Sequence, residues 1–260
     1  MLASWALSPL YFLSFGFVCG LVGFRLGFRM GSRVALPLVQ AVLGWAAFLL
    51  AWSFLGAAWA GATVAAWALG TTVASIYVFF GHPAEADARV VRAVPYRAAM
   101  LSWLQAGGEP GAGAVVTAGQ HLREAIWYTA AAMATANLGS IAMGAVLLNY
   151  MNAYVATLLR AGTNTTTVLL LAWNVWSIVR VAAYIAIGAA AAAPLLRFSG
   201  WHGDVRAVPA LALAGAAGVV LDLVLKLALS PRCGRALAGA IDLDAAKENR
   251  ASGASLSLHL

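Results

Sequence analysis

Between residues 34 and 80 the chain carries no charged side chain. An apolar run of roughly 18 residues or more has the length of a bilayer crossing, whereas soluble helices and strands need far shorter ones. This run is long enough for two crossings. Residues 125–159, 161–179 and 207–221 are uncharged as well, and charged residues bound each stretch. Only 10% of the chain is charged against 63% hydrophobic, where a soluble domain usually carries about 25% charged residues. So few charges cannot keep a surface in water, so lipid is the solvent for most of it. Backbone groups in lipid must be satisfied within the chain, by helices or by a closed barrel. Long Ala/Leu/Val/Gly runs without alternation argue against a barrel. The fold class is all-α, a polytopic transmembrane helix bundle.

The apolar segments predict seven spans, at residues 9–28, 36–56, 58–80, 124–141, 143–159, 166–196 and 208–229. Residues 1–235 make the bundle, and 236–260 form a polar C-terminal tail. Residues 81–121 hold His82, Glu85, Asp87, Arg89, Arg92, Arg97 and Glu109, with Pro83, Pro95 and several glycines. This reads as a long inner loop with one short interfacial helix near 96–105. The division within 125–159 is set by a turn near residues 137–140. With seven spans and the N-terminus outside, one side collects Arg25, Arg29, Arg33, Arg89, Arg92, Arg97, Arg123, Arg160, Arg232 and Arg235. The other side receives Arg197 and Arg206 with Asp204 between them. The excess of basic residues on cytoplasmic faces predicts N-terminus outside and C-terminus inside.

The net charge of +7 follows from this clustering at span ends, so membrane lipid, not nucleic acid, is the expected partner. Cys19 and Cys233 lie near opposite ends of the chain, and with four scattered histidines they give no metal-ligand spacing. The first apolar segment lacks a basic leader and reads as a span instead of a cleaved signal.

Gly16, Gly20, Gly23, Gly27 and Gly31 repeat at three- and four-residue spacing in the first span. Small residues at such spacing let two helix backbones approach closely. The seam can serve packing within the chain or contact with another copy or a membrane-complex partner. Arg25, Arg29 and Arg33 form an adjacent stripe suited to anionic headgroups.

Ionisable residues inside spans are costly and tend to mark function. Arg180 falls near the middle of the sixth predicted span. Trp173, Trp176, Arg180 and Tyr184 are spaced to share one helix face, with Asn174 and Ser177 on a neighbouring stripe. The group can line a pathway for an anion, with cation–π contacts holding the guanidinium; a structural arginine that caps neighbouring carbonyls is the alternative.

Asp222 and Lys226 lie four residues apart in the last span. The only other lysine is Lys247, against fourteen arginines, so an amine able to lose its proton has been placed here. The pair resembles the retinal-binding helix of microbial rhodopsins. That resemblance implies a Schiff base on Lys226 with Asp222 in its counterion, and chain length and span number agree with it. Elsewhere the chain departs from the family. The third predicted helix has Trp67, Thr71 and Thr72 but no charge, and Ile126 stands where the family's acid would follow Arg123. An interfacial ion pair is the other reading of Asp222 and Lys226.

No nucleotide-binding loop, nucleophile elbow or paired catalytic carboxylates occur, which argues against an enzyme; no catalytic residue, metal site or particular cofactor is assigned. His82 and His121 sit at loop edges and read as satisfied or solvated histidines, and Glu124 beside Arg123 reads as an interfacial pair. Residues 162–167 read as an N-cap for the sixth helix. Three functions follow: a small-solute or ion transporter or channel (or a membrane subunit supporting one), a retinal protein, or a structural subunit of a membrane complex.

Overall fold

The computed structural model describes residues 8–109 and 114–248. Its first three helices, α1 (Pro9–Arg29), α2 (Ala35–Leu55) and α3 (Ala57–Gly81), run antiparallel. Ser8 starts α1: its Oγ accepts from the backbone N of Tyr11, and Pro9 follows where no N–H is needed. A single residue, Gly56, turns α2 into α3 at φ 80. A Cβ there would lie 2.5 Å from the carbonyl oxygen of Asp204, so both the turn and its cover demand glycine.

At the end where α1 stops, α4 (Pro83–Arg89) and α5 (Ala93–Gln105) lie across the bundle. Arg97 grips both carboxylate oxygens of Asp87 at 2.6 Å, and Arg33 Nε donates to the carbonyl of Ala88. Arg160 reaches the same end, donating to the carbonyl of Phe79 at 2.6 Å. The chain continues through α6 (Ala114–Thr135), α7 (Leu138–Ala161), α8 (Thr165–Leu171), α9 (Val175–Phe198), α10 (Val208–Ala238) and α11 (Leu243–Glu248).

The glycine seam of α1 is filled by the chain itself. A Cβ on Gly16 would sit 2.5 Å from the carbonyl oxygen of Thr63, and one on Gly20 would sit 2.2 Å from that of Trp67. Gly70 of α3 returns the fit against Phe17. Gly23 and Gly27 face α2, and Gly31 alone has open space around it. The seam is therefore packed against α2 and α3 over most of its length.

Polar groups face inward and apolar ones outward. Gln40 and Asn149, both buried, exchange amide hydrogen bonds at 2.7 and 3.2 Å, and Asn152 donates to Ser75 Oγ. Val18, Val22, Leu26, Leu38, Leu69 and Val73 are exposed on the outside. Water would penalise that arrangement and lipid favours it. Six helical segments are long and apolar enough to cross a membrane: α1, α2, α3, α7, α8 with α9, and α10. The chain is a multi-pass helical protein by that measure.

The expected segmentation changes at three places. The helix predicted over 124–141 is α6, which begins at Ala114 and therefore takes in part of the predicted inner loop. It ends at Ala136 and Asn137, both at positive φ, and α7 begins at Leu138 in place of 143. The predicted helix over 166–196 is broken at residues 172–174 into α8 and α9. The predicted tail is partly ordered: α10 continues through Pro231 to Ala238, and Asp242 N donates to the carbonyl of Ala161. Residues 249–260 of that tail lie outside the described residues.

The break between α6 and α7 is internal. The carbonyl of Ala136 accepts from Trp45 Nε1, midway along α2, and Asn137 packs beside Gly188 of α9. From there α7 runs back to the arginine-rich end, where Arg160 sits.

Candidate functional site

The break at residues 172–174 creates a free helix N-terminus inside the bundle. Asn174 precedes the first turn of α9 at φ −46 and ψ 131, and its side chain makes no capping bond. It is 6% exposed, and its Oδ1 has no partner among the described residues. Ser177 follows within a turn, and Arg180 within two. The first N–H groups of a helix lack intrahelical acceptors and carry partial positive charge, so this end favours an anion.

Arg180 does not stand alone. Its Nε donates to Asp222 Oδ2 at 2.8 Å, and its Nη2 donates to Oδ1 at 3.2 Å. His121 Nδ1 lies 2.9 Å from the same Oδ2, and Nε2 lies 3.1 Å from Arg180 Nη2. Glu124 stands farther off, at 3.9 Å from Nη1. Three helices, α6, α9 and α10, thus bring four ionisable groups to one point. The Asp222 side chain is 1% exposed, and a carboxylate so buried persists only when paired.

The sequence of α6 delivers its share through helical periodicity. Thr117, His121, Tyr128 and Ala132 form a buried stripe, while Leu122, Ile126, Trp127 and Met133 are exposed on the far side. Thr117 and His121 thus turn inward, while Arg123 and Glu124 stay on the exposed side.

Beside the cluster lies a cavity of about 280 Å³. From α5 come Tyr96, Met100 and Trp103; from α6, Thr117 and Gln120; from α9, Asn174, Trp176, Ser177 and Arg180; from α10, Lys226 and Ser230. Lys226 makes no salt bridge among the described residues. Trp103 meets Trp176 edge to face at 6.3 Å, and its Nε1 donates to the carbonyl of Gly108, which also accepts from Ser230 Oγ. Burial pushes the Tyr96 phenol up to about 12 against the opposing pull of Arg180, so it remains a neutral donor.

Deeper in the bundle, Tyr184 stacks on Tyr128 with ring centroids 4.2 Å apart. Beyond them a void of about 40 Å³ is lined by Asn137, Ser140, Gly144 and Trp67, among others, room for about one water. Ser140 Oγ donates to Asn137 Oδ1 at its edge. Toward the opposite end a dry core of Phe48, Trp52, Ala57, Ala192 and Leu196 closes the bundle.

The structure brings Arg180, Asn174 and Trp176 to the cavity, with Tyr184 behind them. Trp173 departs from the expected shared face, because it sits in the helix break and packs on the cores, lining an apolar groove with Leu148 and Ile178. Arg180 lies near the start of α9, not in the middle of a continuous helix. A carboxylate and an imidazole hold it in place of aromatic rings; the cation–π contact among the described residues is Arg89 over Phe28 at 4.7 Å. Asp222 serves Arg180 and His121, and Lys226 instead faces the cavity. His121 and Glu124 join the site although the sequence placed them at a loop edge and at an interface. The signal was available: His121 continues the stripe of Thr117 and Tyr128, opposite the exposed Leu122, Ile126 and Trp127. Among the described residues, no three His, Cys, Asp or Glu side chains are grouped to hold a metal ion.

Comparison with known proteins finds no family model, no curated protein and no solved structure that matches this chain.

Proposed function

We propose that this protein carries a small anionic solute across a membrane, with the cavity between α5, α6, α9 and α10 as its binding site. One observation supports the reading above the others. The N-terminus of α9 opens on the same cavity as Lys226, and among the described residues Asn174 Oδ1 has no partner and the Lys226 ammonium no carboxylate. Broken helices whose half-helix N-termini face a polar chamber are a recurrent solution for anionic substrates in membrane transporters. Asn174 Oδ1 is an acceptor and needs a donor, so an anion that also carries a hydroxyl suits the site best. The dry core at the opposite end fits a pathway closed on that side.

The reading includes seven membrane-embedded helices, with α6 as the seventh beside the six apolar segments. Its support is the buried junction of α6 and α7 and the exposed Leu122, Ile126, Trp127 and Met133 on the outside of α6. Because α7 starts within the bundle and returns to the arginine-rich end, α6 has to leave that end first. The N-terminus then lies outside and the C-terminus inside, with the arginines inward. The retinal reading gains nothing here, since Asp222 is committed to Arg180 and His121.

The test is uptake into vesicles reconstituted with the full chain, using labelled lactate and isethionate (2-hydroxyethanesulfonate), with choline as a cationic control. Uptake of both anions and not choline is expected, with Lys226→Ala reducing it severely. Arg180→Lys should also impair it, because an ammonium lacks the planar fork that Asp222 and His121 engage. Absence of anion uptake, or an unaffected Lys226→Ala variant, would sink the proposal.

A further inference from the structure

The hydrogen-bonding roles around Arg180 determine where the proton of His121 sits. A guanidinium has donors only. With Arg180 Nη2 at 3.1 Å from His121 Nε2, that ring nitrogen accepts, so the imidazole is neutral and carries its hydrogen on Nδ1. Nδ1 lies 2.9 Å from Asp222 Oδ2, the same oxygen that accepts from Arg180 Nε. Two groups, Arg180 and His121, share one carboxylate.

We propose that the site is proton-coupled: protonation of His121 transfers Asp222 from Arg180 to the imidazolium and frees Arg180 to bind the anionic solute. The inference rests on the anion-binding reading above. A proton from water in the cavity adds to Nε2, and the new N–H then points at the N–H of Arg180. Two cationic donors cannot keep that contact. The buried carboxylate retains one cation, and the imidazolium is the one with no other exit, since the His121 side chain is 5% exposed. Arg180 is 17% exposed and already borders the cavity, with Glu124 within reach.

The charge balance gives the stoichiometry. With neutral His121, Arg180 and Asp222 cancel, and Lys226 is the cavity's unpaired cation. With protonated His121, the imidazolium cancels Asp222, and Arg180 turns to the cavity beside Lys226, with Glu124 next to it in both states and so outside the difference. One proton therefore brings one added positive charge to the solute, and it leaves from Nε2 when Arg180 returns. The other groups facing this point do not substitute for His121. Glu124 is the remaining carboxylate on α6, and Arg123 lies on the exposed side of that helix. Tyr96 on α5, Tyr150 on α7 and Tyr184 on α9 contribute phenols, which do not change charge between pH 5 and 8. Histidine ordinarily titrates in that window.

Isethionate is the probe, because its sulfonate keeps one charge over the whole range. Its binding to the purified full chain is measured by calorimetry at pH 5.5 and pH 8, in buffers of different ionisation heat. The expected result is affinity about tenfold or more tighter at pH 5.5, with close to one proton taken up per anion at pH 8. His121→Gln should bind with the same affinity at both pH values. The proton count uses the unmodified protein, so it decides the matter even where His121→Gln fails to fold. Binding that is independent of pH with no proton uptake overturns the coupling and leaves the anion site standing. No binding at either pH overturns both.

Discussion

Arg180 and Asp222 join α9 to α10 through two hydrogen bonds, Nε to Oδ2 at 2.8 Å and Nη2 to Oδ1 at 3.2 Å. The carboxylate is buried while the guanidinium keeps an edge on the cavity. Removing one member of such a pair costs far more than removing both, because the survivor is left charged and buried. Arg180→Leu should lower unfolding stability in detergent by about 3 kcal/mol, and the Arg180→Leu/Asp222→Leu double variant should recover most of it. Equal losses in single and double variants would show that the pair is not the source.

Close helix contact makes a sharper prediction for α1. A Cβ on Gly20 would stand 2.2 Å from the carbonyl oxygen of Trp67, whereas one on Gly81 would meet nothing within 4 Å. Gly20→Ala must push α1 from α3 and should cost about 1–3 kcal/mol. Gly81→Ala is the matched control and should be close to neutral. Thermal unfolding of the two variants side by side gives the comparison.

The amide pair offers a test of polar packing in the interior. Gln40→Leu leaves Asn149 without its reciprocal partner and should cost about 1 kcal/mol. The Gln40→Leu/Asn149→Leu double variant should restore stability nearly to the starting value. A double-mutant cycle measured in detergent reads the coupling directly.

Asp204 and Arg206 give a pH signature at the loop before α10. Hydrogen bonds from the Arg206 side chain and backbone hold the Asp204 carboxyl down at about 2. Its folded value is depressed, so its contribution to folding is present above the ordinary carboxylate range and is lost as pH falls through about 2. Carbon-detected NMR of the carboxyl should show an inflection there, moving upward in Arg206→Ala. An unchanged inflection would exclude the pairing in solution.

Topology is tested by accessibility. Ser199→Cys and Gln105→Cys, in a background lacking Cys19 and Cys233, should label from opposite sides of intact membrane vesicles. Labelling of both from one side would refute the proposed path of α6 through the membrane.

Features recorded in residue type were readable before any fold was known: the uncharged stretches, the arginines at one end, the glycines of α1. The run 162–167 reads as a cap, and within it Asn164 Oδ1 accepts from Thr167 N at the start of α8. The break at residues 172–174 was not readable, because Trp173 and Asn174 sit in an uncharged stretch with no proline or glycine to announce it. The partner of Asp222 was hidden for a different reason. Lys226 one turn away is an obvious local candidate, whereas Arg180 and His121 are brought in by tertiary packing from α9 and α6. The start of α6 was masked by its own polar face, since His121, Arg123 and Glu124 look like loop chemistry until the helix is wound.

Over its length α10 buries only Gly215, Asp222, Ser230, Gly234 and Leu237. These lie along one narrow line, and Gly215 and Gly218 let Ala183 and Ile187 of α9 approach closely along it. Every other helix that could cross the membrane is more deeply enclosed. A rod fastened along one line resists bending but turns readily about its fastening. What holds α10 is chiefly one neighbour, α9, instead of enclosure on several sides. Gly215 and Gly218 bring the two rods close along that line, and the Arg180–Asp222 link ties them with charge.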